Sequence, residues 1–192
     1  VDPRVLVPRP DTETLVEWAL EVLANRVGAS VIDLGTGSGA IALALKHTRP
    51  DLQVSALDYS HDALAVTRSN AQRLSLAVDL QQGCWLAGVT ARFDAIVANP
   101  PYIAEHDQHL EALTHEPAQA LVSGPDGLDD IRTIISQAQN HLHPGGWLLL
   151  EHGFDQACAV RKALRHAGFL NAQSRHDLSG IERCSGAMHA PV

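Results

Sequence analysis

Short apolar runs alternate along this chain with longer segments in which apolar residues recur every three or four positions. The short runs are typical of buried parallel strands, and the three-to-four spacing is typical of helices that bury one face. The pattern predicts five strands, at residues 30–35, 53–58, 77–82, 93–98 and 147–153. A hairpin is expected near Ser179 and Gly180.

Five helices are predicted between these strands. The first follows a cap at Asp11 and Thr12, and the second covers residues 39–47. The third begins after Ser60, the fourth extends from Asp126 to Leu142, and the fifth includes Val160 to Ala167. Glycines are expected to end three of them, at Gly28, at Pro144-Gly145-Gly146 and at Gly168.

The alternation of strands and helices predicts an α/β fold, with a parallel sheet covered by helices on both faces. In such sheets the binding crevice lies at the carboxyl ends of the strands. The residues that suggest chemistry all lie at the carboxyl ends of predicted strands: Gly35 at the first, Asp58 at the second, Trp85 after the third and Asn99 after the fourth. The sequence therefore predicts one site at this edge.

Composition narrows the class of protein. The chain has 192 residues, of which 45% are hydrophobic and 19% charged, as expected for one globular domain. No apolar run reaches the roughly 18 residues that cross a bilayer, so we expect a cytoplasmic protein without membrane association. The net charge of -8, without a basic cluster, argues against direct nucleic-acid binding. Three scattered cysteines suggest neither a zinc site nor a disulfide framework.

The stretch DLGTGSGA places Gly35, Gly37 and Gly39 between a strand and a helix, where a ligand can lie against the backbone. It also fits the dinucleotide fingerprint, so the loop is compatible with NAD or with another nucleoside cofactor. Asp58 is placed to accept hydrogen bonds from ribose hydroxyls, or to cap the helix near Ser60. Both NAD and S-adenosylmethionine carry that ribose, so these residues leave the cofactor open.

The stretch NPPY follows the fourth strand. Pro100 and Pro101 cannot donate to a sheet ladder, so they end the strand and stiffen the backbone. This corner can present the Asn99 side-chain oxygen and the Pro100 carbonyl as two fixed acceptors for an NH₂ group. Tyr102 adds a flat wall. The corner therefore suits an amide or an exocyclic amine, and an NAD-dependent oxidoreductase leaves it unexplained.

Together, DLGTGSG, the aspartate and NPPY resemble class I S-adenosylmethionine-dependent methyltransferases that modify planar nitrogens. Six blocks that span nearly the whole chain more specifically resemble the peptide chain release factor glutamine methyltransferases, the HemK/PrmC family. They are LVPRPDTETLVEWAL, DLGTGSGAIALAL, NPPYIAEH, GPDGLDDIRTII, GGWLLLEHGFDQ and GIER.

The resemblance implies a Rossmann-like fold with a seven-stranded, mostly parallel sheet and an antiparallel C-terminal strand. Residues 1–28 would form an opening segment and first helix that pack on a catalytic domain of residues 29–192. The family's small helical N-terminal domain, which helps dock the substrate, would end where this chain starts. The implied reaction methylates the glutamine side-chain nitrogen in the GGQ motif of class 1 release factors, and S-adenosylmethionine becomes S-adenosylhomocysteine.

The resemblance also implies roles for single residues. Those expected to bind the cofactor are Gly35, Thr36, Gly37, Ser38, Gly39, Asp58, Trp85 (against the adenine) and Asn99. Those expected to hold the glutamine are Asn99, Pro100, Pro101 and Tyr102, with Asn99, Pro100 and Tyr102 acting in catalysis. Cys84 departs from the family, since relatives usually carry an acidic residue there.

Other readings remain open. The same corner could act on a ribosomal protein glutamine or on a flipped base in DNA or RNA, and a cofactor-binding protein without activity is a further alternative. For the loop that contains His106, Asp107, His109, His115 and Glu116, we favour a substrate-side lid over a metal site.

The sequence also suggests roles for five further residues. Glu151 and His152 are expected to make structural hydrogen bonds rather than to catalyse, and Trp18 and Trp147 to pack in the core. Arg9 is either a solvated residue or part of the substrate mouth.

Overall fold

The computed structural model describes residues 3–108, 110 and 117–191. In this part of the chain, seven strands form one mixed sheet. The strands are β1 Ser30–Leu34, β2 Gln53–Asp58, β3 Asp79–Gln82, β4 Phe93–Ala98, β5 Leu142–Glu151, β6 Leu170–His176 and β7 Glu182–Met188. Their order is β3-β2-β1-β4-β5-β7-β6, and β7 runs antiparallel to both of its neighbours. This topology confirms the predicted fold class.

Five α-helices accompany the sheet: α1 Glu13–Val22, α2 Ala40–Thr48, α3 His61–Leu74, α4 Asp129–Ala138 and α5 Ala157–His166. Two apolar clusters separate the faces. Val31 packs with residues of α1 and α2, and its neighbour Ile32 packs with residues of α4 and α5. Because successive strand residues point to opposite faces, the sheet lies between these two helix pairs, as predicted.

The starts of two helices differ in how they are capped. Ser60 caps α3, since its Oγ accepts a hydrogen bond from the Ala63 N–H at 3.2 Å, as expected. The cap predicted at Asp11 and Thr12 is wrong: a 3₁₀ turn, Pro10–Thr12, leads into α1 without a side-chain cap. Gly28 does not close α1 either, because the helix ends at Val22 and Gly28 lies in the turn before β1.

The predicted stop at Pro144-Gly145-Gly146 is also wrong. Helix α4 ends at Ala138, and the three residues lie inside β5, which begins at Leu142. A Cβ at Gly146 would lie 3.1 Å from the carbonyl oxygens of Phe93 and Asp94. Glycine here therefore allows close approach of β4 and β5, where the ladder also shifts register.

The remaining expectations about packing hold. Strands β6 and β7 form the predicted hairpin, with Gly180 in its turn. Trp18 is fully buried and contacts Trp147, with ring centroids 6.1 Å apart, so both are packing residues. No helix in residues 3–108, 110 and 117–191 is both long and apolar enough to cross a membrane.

Candidate active site

A cavity of about 340 Å³ opens at the carboxyl ends of the parallel strands, a size typical of small-molecule sites. Six residues predicted to form a site contribute to its lining: Gly35, Gly37, Asp58, Trp85, Asn99 and Pro101. They come from the ends of four different strands. The structure therefore brings together side chains that lie up to 66 positions apart, as the sheet topology requires.

Asp58 ends β2 and faces the glycine loop. Its Oδ2 accepts a hydrogen bond from the Gly37 N–H at 2.8 Å, and its Oδ1 accepts one from the Ser60 N–H at 2.8 Å. Burial raises the pKa of Asp58 and outweighs the lowering effect of these donors. Each oxygen keeps a second lone pair, so the carboxylate can still accept from two adjacent hydroxyls.

The glycine loop itself presents backbone to the cavity. Gly37 has a φ of +56°, and a Cβ there would meet only the Gly35 carbonyl, at 4.0 Å. The position thus combines a conformation that favours glycine with open space on the ligand side. A planar or extended ligand can approach the main chain closely here.

Three other predicted loop residues support the loop from behind. Thr36 Oγ1 donates to Asp33 Oδ2 at 2.6 Å, and the Ser38 carbonyl accepts from Asn70 Nδ2 at 2.9 Å. A Cβ at Gly39 would lie 2.7 Å from a methyl group of α3. These residues fix the loop's shape and are not among those that line the cavity.

Trp85 lies over the loop in a left-handed conformation, with a φ of +49°. Its ring comes within 3.3 Å of the position that a Cβ on Gly35 would take, and its Nε1 donates to Asp130 Oδ1 at 3.0 Å. Asp130 and the exposed Cys84 also line the cavity. Sequence reasoning missed Asp130, whose only signal is an acidic pair at the start of a helix.

Asn99 directly follows β4. Its Nδ2 donates to Thr12 Oγ1 at 3.4 Å, and both side chains act to lower the pKa of the nearby Glu151 carboxyl. Its Oδ1 is shielded from solvent and has no hydrogen-bond partner in the described part of the chain. Asn99 lines the cavity, and its Oδ1 is thus an acceptor that no donor in the described part of the chain satisfies.

Tyr102 ends the corner and is partly buried. Burial, together with the nearby charge of Glu151, raises the pKa of Tyr102 to about 12, so the phenol stays protonated. Its backbone oxygen accepts from Gln156 Nε2 at 2.9 Å and lies close to Gly127. Sequence reasoning missed both partners, because neither belongs to a motif that signals chemistry.

His152 makes the structural hydrogen bonds that we expected. Its fully buried ring contacts the Gly153 carbonyl through Nδ1, at 2.9 Å, and Ser185 Oγ through Nε2, at 2.7 Å. Burial lowers its pKa, so the ring is neutral. Arg9 is exposed, and its positive charge acts to lower the pKa of the Tyr102 phenol. Its place at the substrate mouth stays a prediction.

The proposed lid is only partly described. His109, His115 and Glu116 lie outside the described residues, so the expectation for this loop stays a prediction. Among the residues that the structure does describe, no group of three His, Cys, Asp or Glu side chains is arranged to hold a metal ion.

Comparisons with known proteins identify the family of this chain. Residues 12–127 match the family model for the methyltransferase small domain. The chain is 50% identical over 188 residues to the release factor glutamine methyltransferase of Bordetella pertussis, covering 96% of this chain and 70% of that protein. It is 51% identical over 187 residues to the Pseudomonas aeruginosa protein of the same name, covering 95% and 67%.

A solved structure extends the likeness to three dimensions. The release factor-specific protein-(glutamine-N5) methyltransferase of Alicyclobacillus acidocaldarius superimposes with a TM-score of 0.61 at 32% identity, covering 100% of this chain and 99% of that one. These matches confirm the methyltransferase prediction over the oxidoreductase alternative. The matches show that the chain belongs to the release factor glutamine methyltransferase family.

Proposed function

We propose that this chain transfers a methyl group from S-adenosylmethionine to the glutamine side-chain nitrogen in the GGQ motif of class 1 peptide chain release factors. The observation that carries the proposal is the Asn99 corner, where a shielded amide oxygen without a described donor lies beside a nucleoside-sized cavity. Family membership supplies the substrate class, since the relatives bear that name.

The residues of the cavity fit the cofactor. We assign the two ribose hydroxyls to Asp58, the extended part of the molecule to the backbone at Gly37, and the adenine to the face of Trp85. When bound, S-adenosylmethionine supplies a methyl carbon whose bond to the positive sulfur breaks with the electron pair left on sulfur.

The protein's task is to orient a poor nucleophile. An amide nitrogen attacks weakly because its lone pair is delocalised into the carbonyl. Asn99 Oδ1 and the Pro100 carbonyl are proposed to accept its two N–H bonds, which leaves the lone pair directed into the cavity and stabilises positive charge that develops on nitrogen. Tyr102 would pack against the planar amide. After transfer, the cationic nitrogen returns to neutrality by losing one proton to water.

A methylation assay with competing substrates tests the proposal. The protein is incubated with S-adenosylmethionine labelled in the methyl group and, in parallel, with a class 1 release factor, ribosomal protein, DNA and RNA. We expect one methyl group on the GGQ glutamine, located by peptide mass spectrometry, and none on a release factor in which that glutamine is replaced by glutamate. Labelling of another substrate but not of the release factor would contradict the proposal.

Replacing Asp58 with asparagine is expected to weaken cofactor binding roughly 10- to 100-fold, because a charge-assisted acceptor for the ribose is lost. Calorimetric titration with S-adenosylhomocysteine measures the Kd directly. The matched control is Asp79→Asn. Asp79 is exposed and begins β3, at the end of the strand that faces away from the cavity. Equal affinities for wild type and Asp58→Asn would show that the carboxylate does not contact the ribose.

A further inference from the structure

Glu151 is a buried carboxylate that the reaction described above does not use. It ends β5 and is 1% exposed. Ala98 of β4 pairs with Leu150 of β5, so the next residues along the two strands, Asn99 and Glu151, lie side by side. A carboxylate therefore lies directly beside the Asn99 side-chain amide, to which we assign binding of the substrate.

The contacts of Glu151 converge on that amide. The polar side chains of Thr12 and Asn99 both act to lower the pKa of Glu151, as neighbouring hydrogen-bond donors do, and Asn99 Nδ2 donates to Thr12 Oγ1 at 3.4 Å. Its second oxygen, Oε2, is shielded from solvent and has no partner among the described residues. Burying a carboxylate oxygen without a hydrogen-bond partner costs free energy, because the charged group loses its hydration.

An ionised carboxylate can only accept hydrogen bonds, so it can face only the NH₂ side of the Asn99 amide. That contact forces the amide oxygen to the other side. A protonated carboxylic acid can also donate, and it would tolerate the flipped amide, in which the NH₂ group takes the place of the acceptor. The ionised form therefore selects the orientation that the substrate needs.

We infer that Glu151 is a positioning residue for methyl transfer, whose carboxylate acts through Asn99 and Thr12 to keep Asn99 Oδ1 directed at the substrate amide. The inference rests on the proposed function. It assigns Thr12, where a helix cap was expected, to the orientation of Asn99. No contact between Glu151 and the substrate is required.

The charges around Glu151 set the pH at which it ionises. Burial raises the pKa of Glu151, Thr12 lowers it, Asp11 raises it and Arg183 lowers it, and the net result is a pKa of about 7. Arg183 forms ion pairs with two carboxylates: its Nε lies 3.7 Å from Asp11 Oδ2 and 3.3 Å from Asp177 Oδ2. The other titratable groups that face Glu151 are the Tyr102 phenol and the Cys184 thiol, and both have raised pKa values that keep them neutral.

Activity should consequently rise with pH through about 7, as Glu151 loses its proton. Stability should change in the opposite direction. Because the folded pKa lies above the unfolded value, the native state binds the proton more tightly, and the unfolding free energy falls as pH rises from about 4.5 to about 7.

Glu151→Gln tests the role without changing the shape of the side chain. We expect kcat at pH 8 to fall roughly 10- to 100-fold, the KM for S-adenosylmethionine to stay within about threefold, and the rise through pH 7 to disappear. The unfolding temperature at pH 8 should exceed that of wild type, since a buried charge is removed. Glu17→Gln, an exposed position on α1, is the matched control and should keep the wild-type profile.

Two substitutions of Thr12 separate the hydroxyl from packing. Thr12→Ser keeps the hydroxyl that accepts from Asn99 and acts on Glu151, and it should retain most of kcat. Thr12→Val keeps the volume but removes the hydroxyl, and it should lower kcat as Glu151→Gln does. Equal activity of the two variants would contradict the role assigned to the hydroxyl.

A measurement on the protein alone separates this inference from the proposed function. In wild type, the ¹⁵N resonance of the Asn99 side-chain amide should shift with a midpoint near pH 7, and in Glu151→Gln it should not. Absence of the shift in wild type, or its persistence in the variant, overturns the inference. A wild-type protein that shows the shift but does not methylate release factor would overturn the proposed function, and with it the link to methyl transfer, but would leave the coupling between Glu151 and Asn99 intact.

Discussion

Replacing Asn99 with alanine is expected to lower kcat roughly 10²- to 10³-fold, because the substrate amide loses an acceptor that is held in place before the reaction. Binding of S-adenosylhomocysteine should change by no more than about threefold, since Asp58 and the glycine loop are untouched. Single-turnover methylation of a release factor, together with calorimetric titration, measures the two effects separately.

Two further variants sharpen this test. Asn99→Asp keeps an oxygen at the same place but loses the NH₂ group that donates to Thr12, and it brings a second carboxylate next to Glu151. We expect it to be as inactive as Asn99→Ala, because the two carboxylates repel each other or share a proton. Asn140→Ala, at an exposed position, is the control. A normal kcat in Asn99→Ala would show that Asn99 has no role in catalysis.

Most of the fold and the location of the site followed from local patterns. The boundaries of β2 and β4 match the predicted ones to the residue, because apolar runs of the right length end there at Asp58 and at Asn99-Pro100. Once the strands are parallel, their carboxyl ends must share one edge. The convergence of Gly35, Asp58, Trp85 and Asn99 on one cavity was therefore predictable without any knowledge of side-chain contacts.

The network beneath the corner was not predictable in this way. Thr12 and Asn99 lie 87 positions apart, and a threonine before an amphipathic helix usually indicates a cap. Its hydroxyl instead accepts from Asn99 Nδ2 and acts to lower the pKa of Glu151, while a 3₁₀ turn leads the chain into α1 without a side-chain cap. Likewise, Gly145 and Gly146 follow an amphipathic segment and so indicate a helix end, although tertiary packing uses them inside a strand.

Gly127 supports the corner by close contact. Its φ is +73°, and a Cβ there would lie 2.3 Å from the Tyr102 carbonyl oxygen and 2.8 Å from Gln156 Nε2. These two atoms form the hydrogen bond, 2.9 Å long, that ties the backbone of the corner to the start of α5. An added methyl group must therefore displace either the Tyr102 carbonyl or the Gln156 side chain.

We expect Gly127→Ala to lower the free energy of unfolding by about 3 kcal/mol, from overpacking added to left-handed backbone strain. The kcat should fall about 10²-fold, because the neighbouring acceptors move relative to the cofactor. Gly28→Ala is the matched control: its φ is +67°, but nothing lies within 4 Å of the added Cβ.

The control should therefore cost only about 1 kcal/mol, from backbone strain alone, and leave kcat unchanged, since Gly28 lies at the opposite edge of the sheet. Chemical denaturation and single-turnover methylation of both variants separate the two contributions. If both glycines gave the same losses, backbone conformation alone would explain them, and the contact between Gly127 and the Tyr102 carbonyl would have no part in holding the corner. A larger loss confined to Gly127→Ala is the result that steric support of the corner requires.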